Sequence, residues 1–173
     1  MAPALSVDSS TVSFPSAVLR RFFSEQGRPG ARVDAPPFRV ASGTSWRISL
    51  YPCGGNAEYS GRVGVYLRCL QDVEVDATFS MTLTTDGAPL GTNFACGMTF
   101  CEASEAGISV GRCEDWGAHV CDTSSLLQQL NDHDSEIAVA VELTVWSQRE
   151  RVRGAALRAL ADQVCVYFGH LAP

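Results

Sequence analysis

The run from Glu136 to Trp146 places Ile137, Val139, Val141, Leu143 and Val145 on one side of an extended chain, with small or polar residues on the other. A two-residue period sustained over that length cannot form a helical stripe; it predicts a strand with one buried face. The same alternation recurs upstream. Trp46, Ile48 and Leu50 share a face in a strand that ends where Pro52, Gly54 and Gly55 stop further pairing. Alternation or β-branched enrichment continues through 62–70 and 73–85, and Asp86-Gly87 is a tight-turn signal.

Weaker signals fill in the rest. Thr11 to Phe14 is a candidate first strand, and Ser16 to Phe23 a brief helical or irregular turn. Pro36-Pro37 opens a strand at Phe38 to Val40, and Ala41 to Thr44 forms the hairpin into Trp46. Two further strands are expected at Asn93–Phe100 and Gly107–Val110. Asp122 is a helix N-cap followed by a short helix through Leu130. The sum is an all-β fold, an antiparallel β-sandwich of seven or eight strands with a short helix. From Arg149 the period changes. Val152, Ala156, Leu160 and Val164 recur every fourth residue while Arg149, Arg151, Arg153 and Arg158 lie elsewhere around the axis, the pattern of an amphipathic helix. The chain therefore divides into a sandwich over 1–147 and a C-terminal amphipathic helix and tail over 148–173. The apolar face of that helix docks either on its own sandwich or on a partner or second copy.

At 173 residues the chain can bury a sizeable core without disulfide staples. Its net charge of −6 argues against nucleic-acid binding, which needs a clustered basic face. All 13 basic residues are Arg. A GC-rich codon usage accounts for this; the sharper alternative is a chain that avoids ubiquitination of its own side chains. No apolar run reaches the roughly 18 residues of a membrane helix, and Met1 to Val12 lacks the basic start and apolar stretch of a secretory leader. Seven cysteines, an odd set, then fit reduced thiols and a cytoplasmic location. Val18 to Ser24 has the Arg- and Ser-rich flavour of a mitochondrial presequence.

Chemistry-bearing motifs are scarce. Cys96, Cys101, Cys113 and Cys121 lie near His119, but without the tight Cys-x-x-Cys pairs that seat zinc on one turn, so neither metal nor cofactor is expected. No phosphate-cradling loop or His-Glu-x-x-His motif is present. Asp132-His133-Asp134 reads as a solvated turn. The expectation is a protein that is not an enzyme.

The order and spacing of Trp46 to Gly55, Val65-Tyr66-Leu67, Glu114-Asp115-Trp116-Gly117 and the strand from Glu136 to Trp146 resemble the meprin and TRAF homology (MATH) family, over about Phe38 to Trp146. Members of that TRAF-like family, found in TRAF adaptors, cullin-ligase substrate receptors and a herpesvirus-associated deubiquitinase, are β-sandwiches that accept a short extended peptide beside an exposed strand. The resemblance implies a non-catalytic adaptor whose partner is another protein, recognised through a short linear motif. It implies that Tyr66 and Phe79 point into the groove, that Asp115 and Trp116 flank a small polar peptide residue, and that Gly117 lets the peptide backbone approach. The residues themselves put Trp116, after Glu114-Asp115 and before Gly117, in a turn-like setting. It places Ile108 where substrate receptors carry a groove Tyr, Ala118 where they carry an aromatic, and Cys53 where the deubiquitinase carries a basic residue. A rival reading makes the chain a structural subunit of a larger assembly, docking through the sandwich and the face of Val152, Ala156, Leu160 and Val164.

Overall fold

The computed structural model describes residues 7–70, 75–100, 112–113, 115–132 and 135–146. Two sheets face each other. The first is built from β1 (Asp8–Phe14), β6 (Val75–Thr85), β7 (Ala88–Phe100), β8 (Arg112–Cys113) and β10 (Ile137–Val145), in the order β1-β10-β6-β7-β8. The second holds β2 (Val33–Asp34), β4 (Ser45–Tyr51), β5 (Arg62–Cys69) and β9 (Asp115–Asp122) in the order β2-β4-β5-β9, with β3 (Phe38–Arg39) also on β4. Every pairing is antiparallel except the two-residue contact of β7 with β8. Two ten-residue helices, α1 (Ser16–Glu25) and α2 (Thr123–Asp132), complete the described elements.

The alternation read from the sequence sets the register. In β10 the odd-numbered residues Ile137, Val139, Val141 and Leu143 are all buried, opposite Thr85, Leu83, Met81 and Phe79 of β6. In the other sheet Trp46, Ile48 and Leu50 face Cys69, Leu67 and Val65, and all but Cys69 are fully buried. The two inner faces meet in an aromatic cluster: Trp46 stands edge-on to Phe100 with ring centroids 4.8 Å apart, and Phe79 tilts against Phe100 at 6.0 Å. Asp86 (φ 47°) and Gly87 (φ 79°) make the positive-φ turn between β6 and β7, the geometry whose twist matches a hairpin.

Some expectations change. The segment after β1 is a full helix, and Leu19 and Phe22 from its inner side are buried, so the Arg-rich stretch is part of the packed fold. Arg20 donates through Nε and Nη2 to the Leu130 carbonyl at 3.0 and 2.7 Å, tying α1 to α2. β7 begins at Ala88, earlier than Asn93. The expected strand at Gly107–Val110 and the C-terminal amphipathic helix lie outside the described residues. No helix among the described residues is long and apolar enough to cross a membrane.

The outer face of the first sheet is unusual in chemistry. Across the strands, Thr11, Ala140, Thr82 and Thr92 form one row and Ser9, Glu142, Ser80 and Phe94 the next. Thr82 and Thr92 share a hydroxyl hydrogen bond of 3.0 Å. Phe94 is 67% exposed.

Phe79 is 1% exposed and packs within the interior cluster. Phe79→Ala removes buried aromatic volume that neighbours cannot refill, so urea unfolding of this variant is expected to give a loss of about 3–5 kcal/mol.

Candidate functional site

Strand β9 forms the edge of its sheet among the described residues, paired with β5 on one side. Its register puts Asp115 opposite Arg68, Trp116 opposite Leu67, Gly117 opposite Tyr66 and Ala118 opposite Val65. Because Leu67 and Val65 are buried in the core, Trp116 and Ala118 lie on the side facing the other sheet. Asp115 and Gly117 share the outer side with Tyr66. The expected site residues are thus divided between two faces of one strand. The Asp115-Trp116-Gly117 segment is regular strand instead of turn.

Two placements correct the expected groove. Phe79 is in the core, because it shares the phase of Val75, Ala77, Met81 and Leu83 along β6. Gly117 serves the sheet: a Cβ there would stand 2.0 Å from the Val65 carbonyl oxygen and 2.7 Å from Cγ of Tyr66. The missing side chain admits the backbone and ring of β5 rather than a ligand's backbone. Ile108 lies outside the described residues, as do Val152, Ala156, Leu160 and Val164.

Trp116 is half-buried and packs against the core, and its Nε1 donates to the Thr99 carbonyl of β7 at 3.1 Å. Thr99 in turn donates its hydroxyl to the buried Asp76 carboxylate at 2.6 Å. The indole therefore bridges the two sheets. A second bridge lies further along, where a Cβ on Gly91 would stand 1.9 Å from the Val120 carbonyl oxygen. Between these contacts lie Gly117, Ala118 and His119. Among the described residues no strand pairs with β9 on the side away from β5.

On the outer face, residues that sequence reasoning did not single out gather around Tyr66. Tyr51 meets the Tyr66 ring edge-on at 5.2 Å, and Tyr59 stacks on His119 at 4.3 Å with planes 29° apart. Arg32 hydrogen-bonds the Tyr51 hydroxyl at 3.4 Å and pairs with Asp34 at 3.1 Å, while Ser49 donates to Asp34 at 2.7 Å. The Tyr51 contact raises the Arg32 pKa against burial, helped by Asp34 and Asp115. Arg47 stands directly opposite Arg68, and its Nε is buried without a hydrogen-bond partner among the described residues. The signal for this face was present in the sequence: Arg47, Ser49 and Tyr51 occupy the phase opposite to Trp46, Ile48 and Leu50.

Burial shifts two groups of β9, His119 and Cys121. Burial, with the Arg62 charge adding to it, lowers the His119 pKa below its ordinary 6.5, and its Nε2 is buried without a partner among the described residues. Burial and then Asp122 push the Cys121 thiol up to about 11, which keeps it protonated and unreactive near neutrality. Among the described residues no group of three or more His, Cys, Asp or Glu side chains is placed to hold a metal ion. No family model matches the chain, and no curated protein matches it.

Two outcomes follow from this geometry. Gly117→Ala forces the β5–β9 pairing apart, and thermal unfolding is expected to show a loss of about 1–3 kcal/mol, the usual cost of overpacking. His119, with its folded pKa depressed, binds its proton more readily in the unfolded chain. Its contribution is absent above pH 6.5 and becomes destabilising as pH falls through 6.5 toward the folded value. The slope of stability against pH in that window should flatten in His119→Gln, measured by urea titrations at stepped pH.

Proposed function

We propose that the chain is a non-catalytic adaptor module that recognises a short linear motif in a partner protein, with the motif adding as a strand to β9. The observation that carries this reading is the β9 edge itself. Its backbone from Gly117 to His119 has no strand partner on the side away from β5 among the described residues. Main-chain hydrogen bonds from such an edge supply affinity that does not depend on sequence, and alternate side chains of the peptide supply the choice. Three residues of strand span about 10 Å, so the bridges at Trp116–Thr99 and Val120–Gly91 match a motif of only a few residues. Side chains on the outer face of such a peptide would meet Asp115 and the Tyr66 ring, which leans over Gly117. The resemblance of the Trp46–Gly55, Val65–Leu67 and Asp115–Gly117 segments to MATH domains points the same way.

Trp116 is a poor probe of this site, because its loss would untie the sheets as well as any ligand. Tyr66→Ala and Asp115→Ala change the outer face instead. In a peptide-array screen of the full chain, a hit motif is expected to bind the parent with micromolar affinity, about −8 kcal/mol, and each variant at least tenfold more weakly. Methylating alternate backbone nitrogens of the peptide should abolish binding for one phase of positions and spare the other. Equal tolerance of both phases would rule out strand addition, and a well-folded parent that retains no peptide would remove the adaptor reading.

A second reading, a structural subunit held in a larger assembly, is favoured by one observation. Phe94 stands 67% exposed on a sheet face whose neighbouring rows are small hydroxyl and methyl side chains and Glu142. Co-purification of the full chain at fixed stoichiometry with another subunit, lost in Phe94→Ser, is the expected result under that reading.

A further inference from the structure

We infer that the outer face of the β1-β10-β6-β7 sheet is a docking surface for the chain's own C-terminal segment, residues 149–164, laid across it as an amphipathic helix. The inference does not depend on the function of β9. Its first support is the chemistry of the face. The row Thr11, Ala140, Thr82 and Thr92 presents short side chains, and Phe94 in the next row is the most exposed large apolar residue among those described. A flat floor of small residues lets a helix approach closely, and an exposed Phe stabilises whatever covers it.

The second support is where the chain leaves the sheet. Trp146 donates its backbone N–H to the Asp76 carbonyl at 3.0 Å, just past the last paired residues of β10 and β6, so the described chain ends at one end of this face. A helix over 149–164 is about 24 Å long. The nine residues of β10 run about 30 Å. A segment that doubles back therefore covers the sheet along most of its length. The folded helices do not compete for the position, because α1 and α2 pack on each other and α2 on β5 and β9.

Charge decides between the two outer faces. The face proposed here carries one charged side chain in these rows, Glu142, 62 residues from the Ser80 hydroxyl it accepts at 3.3 Å. The segment brings four arginines, at 149, 151, 153 and 158, against two acids at 150 and 162. The outer face of the other sheet sets Arg32, Arg47 and Arg68 against Asp34 and Asp115, a balance that still leaves it net basic and without attraction for a basic segment. The apolar stripe of Val152, Ala156, Leu160 and Val164 is thereby assigned to Ala140, Thr82 and Phe94, with arginines on the flank reaching Glu142.

The test uses the full chain. Hydrogen exchange read by mass spectrometry is expected to show amides of 150–164 slowed at least tenfold relative to an unstructured peptide of the same sequence. Ala140→Arg and Thr82→Arg, which place a cation on the floor, should return that segment to near the unstructured rate while Val139 and Val141 stay protected. Leu160→Asp makes the complementary change, and hydroxyl-radical labelling of Phe94 should then rise several-fold. Fast exchange of the segment in the parent overturns the inference, as does slow exchange that survives both floor variants, or Phe94 labelling unchanged in Leu160→Asp. Protection that grows with protein concentration assigns the face to a second copy, and protection that appears only with another protein bound assigns it to that partner; either result also overturns it.

Discussion

The contact of Trp46 with Phe100 across the interior is the interaction on which the rest of the molecule depends. Trp46 comes from the second sheet and Phe100 from the end of the longest strand of the first, and both are fully buried. Their edge-to-face packing joins layers that, among the described residues, share no strand pairing, so it fixes the spacing between them as well as removing apolar surface from water. Phe79 reaches Phe100 from the neighbouring strand and extends the cluster. Trp46 is held in turn by its Nε1, which donates to Thr44 Oγ1 at 2.7 Å in the turn before β4. A buried indole thus keeps its polar atom satisfied at the rim.

The edge at β9 inherits that spacing. Trp116 and Gly91 span from one sheet to the other only because the layers are held at a constant separation, and each does so from one end of the same short stretch. Polar groups along the path are satisfied in sequence: Trp116 on the Thr99 carbonyl, Thr99 on Asp76, and the Asp76 carbonyl on Trp146. The candidate site is therefore an extension of the core's architecture, placed where a sandwich has its one kind of chemically unfinished backbone.

How legible this was in the sequence differs by element. The strands with strict alternation, β4, β6 and β10, were readable because burial on one face leaves a period of two. Strand β9 was not, because its residues Asp115 to Cys121 are half-buried on both sides at a sheet edge, and Glu-Asp before Trp-Gly has the composition of a turn. Helix α1 was read too short, since Arg20 and Arg21 interrupt its apolar phase while Leu19 and Phe22 still reach the core. Phe79 shows a different failure. Its phase along β6 placed it in the interior, and a likeness to other proteins drew it toward a groove; the local pattern was the better guide. Neither period nor composition reveals which face of a strand becomes a sheet's rim, so the gathering of Tyr51, Tyr59 and His119 around Tyr66 depended on three-dimensional register.

One feature of the topology bears on how the protein is made. The first strand pairs along its whole length with the last, and β10 is the only strand among those described that stands between β1 and β6. While the chain is being synthesised, β1 has no neighbour and β6 offers an open, alternating hydrophobic edge until the residues from Ile137 onward emerge. Closure of the interior is thus postponed until β10 has been made, the slow, non-local kind of pairing that leaves a nascent chain exposed to aggregation. A chaperone that shields β6 during that interval would act on this protein at the point where its own sequence offers no protection.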